Sequence, residues 1–284
     1  MIGELRFKGA GIPQKILIIL FQLMLITYAI LIFYPLFNMI ISSLKTTREI
    51  FKTPYALPAD WKFSNYGEVW GEGGFGRYFF NSSYITALSI GIVILFGSMA
   101  AFGISRYDYR LSTLVYLLFL AGIMLPLKAA IIPLFLLIRK LHLMDNQLSL
   151  ILIFTAMSMP STVFILTGFM KTIPYDLEDS GRIDGANEWV IYKDIIMPLT
   201  APSIALVTIY NAVPVWNDFF FPLVFIQSNK LKTLPLGMSV FFGQYQISWH
   251  LLFASLSITI LPMLILYLFM SKYFIKGMTA GALK

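Results

Sequence analysis

A chain of 284 residues that is 58% hydrophobic and 12% charged is not a soluble domain, because soluble domains carry about 25% charged residues. It has no cysteine, which excludes a disulfide framework, a thiolate nucleophile and a cysteine metal site. The formal charge of +7 comes from basic residues at the ends of apolar runs, a pattern that suits anionic lipid headgroups and argues against nucleic acid.

The charges cut the chain into six long apolar runs: residues 16–44, 78–105, 111–138 (interrupted once by Lys128), 146–170, 195–217, and 251–270 within 233–271. A membrane-spanning helix needs about 20 apolar residues. The runs are continuous rather than alternating, so helices are expected and a β-barrel is not. The fold class is therefore an all-α integral membrane protein with six transmembrane helices. The first run is expected to be retained as a helix, since its apolar part far exceeds the roughly 7–15 residues of a cleaved signal core.

The connections differ in character. Residues 45–77 are long and mixed, with Trp61 and Trp70 suited to a membrane interface. Asn81 and Ser82 are expected to open the second helix, either one as its cap. Pro126 and Pro133 are expected to kink the third helix, and Lys128 to reach the headgroups from its outer end. With the N-terminus inside, eleven basic residues fall on the inner side and nine on the outer, a weak positive-inside bias.

Residues 174–202, between the fourth and fifth runs, hold Asp176, Glu178, Asp179, Asp184, Glu188 and Asp194, six of the fourteen acids in the chain. The segment reads as two short helices. Asp176 is expected to cap the first, with Asp179 as the acid of a capping box. Gly185 breaks the pattern, Asn187 caps a second helix running through Lys193, and Pro198 and Pro202 mark entry into the fifth span. Ala186, Trp189 and Ile191 offer an apolar contact near the break. One reading is a hairpin lying on lipid headgroups, but such helices are usually basic on their polar face. The other is a docking surface.

Asp179-Ser180-Gly181, three residues, Gly185, nine residues, Ile195, one residue, then Met197-Pro198 resembles the EAA signature of ABC-importer membrane subunits. Ile183-Asp184-Gly185-Ala186 matches the centre of that signature. Asn81-Ser82, Ala100-Ala101-Phe102 before Arg106, Trp216-Asn217-Asp218-Phe219, and Tyr273-Phe274 with Gly277, Ala280 and Gly281 stand in the order of the MalG-type sugar permeases of the carbohydrate-uptake group. The resemblance runs from about Tyr34 to the C-terminus. It departs from the signature where Asp179 replaces Glu and Ser180 and Gly181 replace two alanines.

The resemblance implies a type I importer permease in a bacterial cytoplasmic membrane, with both termini cytoplasmic. Its parts would be 1–76 (N-terminal segment, first helix and external loop), a five-helix core over 77–274, and a cytoplasmic tail over 275–284. Residues 174–202 become a coupling segment. There Glu178, Asp179, Ser180, Gly181, Asp184, Gly185, Ala186 and Trp189 would meet an ATPase, with either Glu178 or Asp179 as its salt-bridge partner. The implied partners are a second homologous permease, an ATPase dimer that also meets the tail, an extracytoplasmic solute-binding protein and a sugar.

Asn211, Trp216, Asn217 and Asp218 have the chemistry to contact a sugar, and equally to bond helix to helix. No phosphate-binding loop is present, and His142 and His250 are isolated, so no enzyme is expected. No cofactor is expected on this chain; ATP and magnesium would belong to the partner ATPase. The alternatives are a permease for a polyol or glycerol phosphate, and an ATP-independent secondary transporter.

Overall fold

The computed structural model describes residues 12–281 except 72–73, 108, 127 and 242–246; side chains are described from residue 15 to 271 apart from residue 240. No β-strand occurs among the described residues. The helices are α1 (Ile12–Ser43), α2 (Thr47–Lys52), α3 (Ser64–Trp70), α4 (Phe75–Arg106), α5 (Ser112–Met124), α6 (Ile131–Lys140), α7 (Gln147–Met170), α8 (Asp176–Ile183), α9 (Glu188–Leu199), α10 (Ala201–Asn217), α11 (Phe220–Phe225), α12 (Leu234–Gly237) and α13 (Trp249–Gly281).

Four helices are individually long and apolar enough to cross a membrane: α1, α4, α7 and α13. Over the fifth expected span the helix is not continuous: α9 and α10 meet at a 73° bend. Pro202 has no N–H to continue the ladder there, while Thr200 N–H still reaches Ile196 O at 2.9 Å. The third expected span is also two pieces. It is not one kinked helix: α5 stops at Met124, α6 starts at Ile131, and Pro126 and Lys128 lie in the gap. Pro133 sits in the first turn of α6, where a missing N–H costs nothing.

The chain forms two compact units. One comprises residues up to Val69 with Phe241–Ser257. In it, α1 exposes apolar side chains around nearly its whole length, the surface of a helix made for lipid or another apolar partner. At its end Lys45 is buried, and its ammonium donates to the Thr53 and Pro54 carbonyls at 2.9 and 3.4 Å. Asn65 Nδ2 donates to the carbonyls of Ser43 and Lys45.

The other unit comprises Trp70–Val240 with Ile258–Lys284. Its axis is the pair α4 and α7. A Cβ added at Gly97 would lie 2.8 Å from Thr162 Cγ2, so the two backbones approach as small residues allow. α10 joins them through Asn211, and α5 meets α7 where Gly122 faces Pro160. Ile85, Leu150, Phe154, Phe221 and Phe225 fill one end of this core. Ala101, Leu166, Met170, Ile191, Tyr192 and Ile196 fill the other.

Asn81 and Ser82 do not open α4, which begins at Phe75. They lie two turns into it and hold the loop that follows α11. Asn81 Nδ2 donates to the carbonyls of Lys230 and Lys232, and Ser82 Oγ accepts from Leu234 N–H at 2.8 Å. The tail expected to meet an ATPase is helical backbone as far as Gly281, and 282–284 lie outside the described residues.

Candidate functional site: an anchored acidic segment and a membrane cavity

The acidic segment folds as α8, a left-handed glycine, and α9. Tyr175, not Asp176, stands at the N-cap of α8; its carbonyl accepts from the N–H groups of Glu178 and Asp179. Asp176 is one residue further in, where its charge suits the positive end of the helix. The other end is a Schellman motif. Gly185 N–H donates to Arg182 O and Ala186 N–H to Gly181 O, at 3.1 and 2.9 Å, with Gly185 at φ +85°. Asn187 Oδ1 then accepts from Val190 N–H at 3.0 Å and caps α9. That helix continues past Lys193 to Leu199, with π-helical hydrogen bonding over Ile191–Ile196.

Glu178 turns inward. It is fully buried, its Oε1 is 2.5 Å from Arg106 Nε, and its Oε2 is 3.6 Å from Arg182 Nη2. The Arg106 contact holds by charge, its angle being off that of an aligned hydrogen bond. Burial raises the Glu178 pKa, and Arg106 and then Arg182 pull it partly back. Arg106 is fixed from its other side: Nη2 donates to Ile173 O at 3.2 Å, and Tyr175 lies under the guanidinium at 4.6 Å. Glu178 is thus not on the docking surface for which it was a candidate. One methylene more than Asp179, and a position one residue earlier on α8, carry its carboxylate to the end of α4.

Asp179 faces out, with its side chain 64% exposed. Arg182 gathers the exposed acids around it. Nη1 donates to Asp179 Oδ1 at 2.9 Å and Nε to Glu188 Oε1 at 3.0 Å, which ties α8 to α9. Tyr107 OH donates to Glu188 Oε2 at 2.5 Å and ties both to the end of α4. The Arg182 bonds, and then the Tyr107 bond, hold the Glu188 pKa below the ordinary glutamate value. Burial, and then the bond to Glu188, push Tyr107 up to about 12. Ser180 Oγ donates to Asp176 O within α8. A Cβ at Gly181 would meet Ile195 Cδ1 at 2.8 Å, so the small residue lets α8 lie against α9.

The outer face carries Asp179, Asp184, Ile183 at 86% exposure and Trp189 at 55%. Beneath it Ile191, Tyr192 and Ile196 pack into the core with Ala101, Leu166 and Met170. The Tyr192 hydroxyl and Ser98 Oγ of α4 lie 2.7 Å apart. A push on this segment is therefore a push on α4, α7 and α10.

The second place is a cavity of about 990 Å³ between α5, α7, α10 and α11. Asn211, Asn217 and Asp218 all line it. Asn211 spends its polar atoms between helices: Nδ2 donates to Thr162 Oγ1 and Val207 O, and Oδ1 accepts from Ser161 Oγ. Trp216 lies outside the cavity. It is 2% exposed, and its Nε1 donates to Thr259 O of α13 at 3.0 Å while Phe79 packs edge-on. On a helix, consecutive residues point about 100° apart, which separates Trp216 from Asn217.

Lys128 is on the cavity wall, 3.9 Å from Asp218 Oδ2. Its place in the gap between α5 and α6, rather than on a helix, carries it there. Reading the sequence gave Arg106 and Arg182 no role in the site, and it sent Lys128 to the headgroups without its partner Asp218. A cation isolated inside an apolar run and an anion at the end of another were the available signal that Lys128 and Asp218 belong together.

Comparison with known proteins gives one consistent family. The profile of the family described as "binding-protein-dependent transport system inner membrane component" matches residues 93–280. A putative ABC transporter permease protein of a Caldicellulosiruptor species is 38% identical over 88% of this chain and 91% of its own. The melibiose/raffinose/stachyose import permease MelC of Bacillus subtilis is 35% identical over 89% and 91%. A crystal structure of a bacterial ABC transporter involved in import of the acidic polysaccharide alginate superposes with a TM-score of 0.82 at 22% identity, covering 93% of this chain and 99% of that one.

Proposed function

Because the chain belongs to the family of binding-protein-dependent transport system inner membrane components, we propose that it is the permease subunit of an ATP-driven importer for a sugar or oligosaccharide. The observation that carries the coupling role is the α8–Gly185–α9 unit. Its outer face is acidic and apolar together, and its inner face is locked into the helical core by Glu178–Arg106 and Tyr192–Ser98. A surface built that way transmits force to the spanning helices. A flexible loop between them does not.

In this reading an ATPase meets Asp179, Asp184, Ile183 and Trp189 on the cytoplasmic side. Both termini share that side. ATP and magnesium bind the ATPase, and its closure moves α8 and α9 as a body. A second, homologous permease completes the pathway, and an extracytoplasmic binding protein delivers the solute. The relatives whose names specify a substrate support sugar, since they import melibiose, raffinose and stachyose, or arabinooligosaccharides. Coupling is then the biasing of a two-state element from both ends.

The test is Asp179→Arg combined with Ile183→Asp, both on the exposed face. The variant is expected to insert and to keep its melting temperature while it loses co-purifying ATPase and uptake. Normal ATPase retention with normal uptake would refute the docking surface.

A further inference from the structure

We propose that Lys128 and Asp218 are a hydroxyl-recognition pair, and that they select uncharged, polyhydroxylated saccharides in the cavity. This rests on the sugar-permease reading and adds to it two substrate-contacting residues and the charge class of the solute.

The pair is not a closed salt bridge. Nζ and Oδ2 are 3.9 Å apart, beyond the roughly 3.2 Å limit of an N–H···O bond. No hydrogen bond from a described residue reaches the Lys128 ammonium, and its side chain is 63% exposed. It lies 5.7 Å from the centre of the Phe220 ring. Asp218 is held from behind, its Oδ1 accepting Phe221 N–H at 2.8 Å and so fixing the start of α11. Its side chain is 10% exposed, with Oδ2 turned to Lys128. Both residues stand at breaks, Lys128 between α5 and α6 and Asp218 between α10 and α11.

That gap fits one hydroxyl group. A hydroxyl oxygen at ordinary distances of about 2.8 Å from Nζ and 2.7 Å from Oδ2 spans a 3.9 Å separation at an angle near 90°. There it accepts from the ammonium and donates to the carboxylate, using both sides of its hydrogen-bonding capacity. Both bonds are charge-assisted, the stronger class. Phe220 beside the pair offers the flat apolar contact that the C–H face of a sugar ring takes.

Charge sets the solute class. Lys128 and Asp218 are the only charged residues among the described lining residues, and they cancel. A carboxylate or phosphate drawn to the ammonium would sit against the Asp218 oxygen less than 4 Å away. A neutral hydroxyl meets no such repulsion. The cavity volume is at the upper end of the roughly 300–1,000 Å³ usual for ligand sites.

The experiment uses the whole transporter, this chain with its partner permease, ATPase and binding protein, in proteoliposomes. The probes are a panel of neutral di- and trisaccharides, melibiose and raffinose among them, and a panel of uronate-containing oligosaccharides. Neutral sugars are expected to be carried. Lys128→Met and Asp218→Asn should each raise KM at least tenfold, the double variant should be no worse than the worse single one, and Lys128→Arg should recover most of the loss. Asn at 218 keeps an oxygen for the α11 cap, which separates recognition from folding. Neutral-sugar uptake with unchanged KM in Lys128→Met overturns the pair and leaves the sugar reading standing. Uronate uptake that depends on Lys128 overturns the neutral class and makes Lys128 an anion site. No uptake from either panel overturns the sugar reading and the pair together.

Discussion

Glu178 and Asp179 are neighbours with opposite fates. α8 is short and lies against the end of α4, so adjacent positions face different media. Asp179 has water and one exposed guanidinium, an arrangement that solvent screens and that adds little to stability. Glu178 has no water and faces Arg106, whose side chain is also buried. Removing one partner of a buried pair costs about 3–5 kcal/mol, because the other charge is left uncompensated. Glu178→Gln is therefore expected to lower the melting temperature of the purified permease strongly, while Asp179→Asn leaves it nearly unchanged. Glu178→Met with Arg106→Met should recover much of the loss. Equal melting temperatures for Glu178→Gln and wild type would show that the pair contributes nothing.

The α8–α9 element is held by Arg182, Glu188 and Tyr107, and this makes it acid-sensitive in a definite direction. Glu188 has a folded pKa below the ordinary value, chiefly through Arg182. A carboxylate shifted down stabilises the fold fully above its unfolded pKa, about 4.3, and loses that contribution as pH falls through the lower folded value. Asp145 behaves in the same sense, its pKa lowered first by the Ser228 hydroxyl and then by the Ser228 and Gln227 N–H groups. Thermal stability is expected to be flat in these two groups from pH 7 to 5 and to fall below about pH 4. Glu188→Gln should flatten part of that fall, as followed by melting at a series of pH values. Exposure of the segment to solvent is what keeps the effect modest.

At the scale of the molecule, the α4–α7 contact is the frame on which the coupling segment and the cavity both hang. Gly97 and Thr162 define its closest point. Gly97→Val is expected to destabilise the helical unit by about 1–3 kcal/mol through overpacking, seen as lost melting temperature and lost uptake together, unlike the docking variant, which loses ATPase and uptake but keeps its melting temperature.

The all-helical membrane class, the acidic segment, the Gly185 break and the Asn187 cap were legible in the chain, because each depends on composition, period or neighbours within four residues; the count of six spans was not matched one for one, since four described helices are individually long enough to cross a membrane. Gly185 was readable since the Schellman end of α8 needs a residue at positive φ. The inward turn of Glu178, the breaks that split the third and fifth spans, and the meeting of Lys128 with Asp218 were not. Those depend on which residue from ninety or so positions away arrives opposite, as Asp218 does for Lys128. Local propensity carries no information about such partners, and in an apolar medium the partner decides whether a charge is a docking group, a structural ion or a ligand contact.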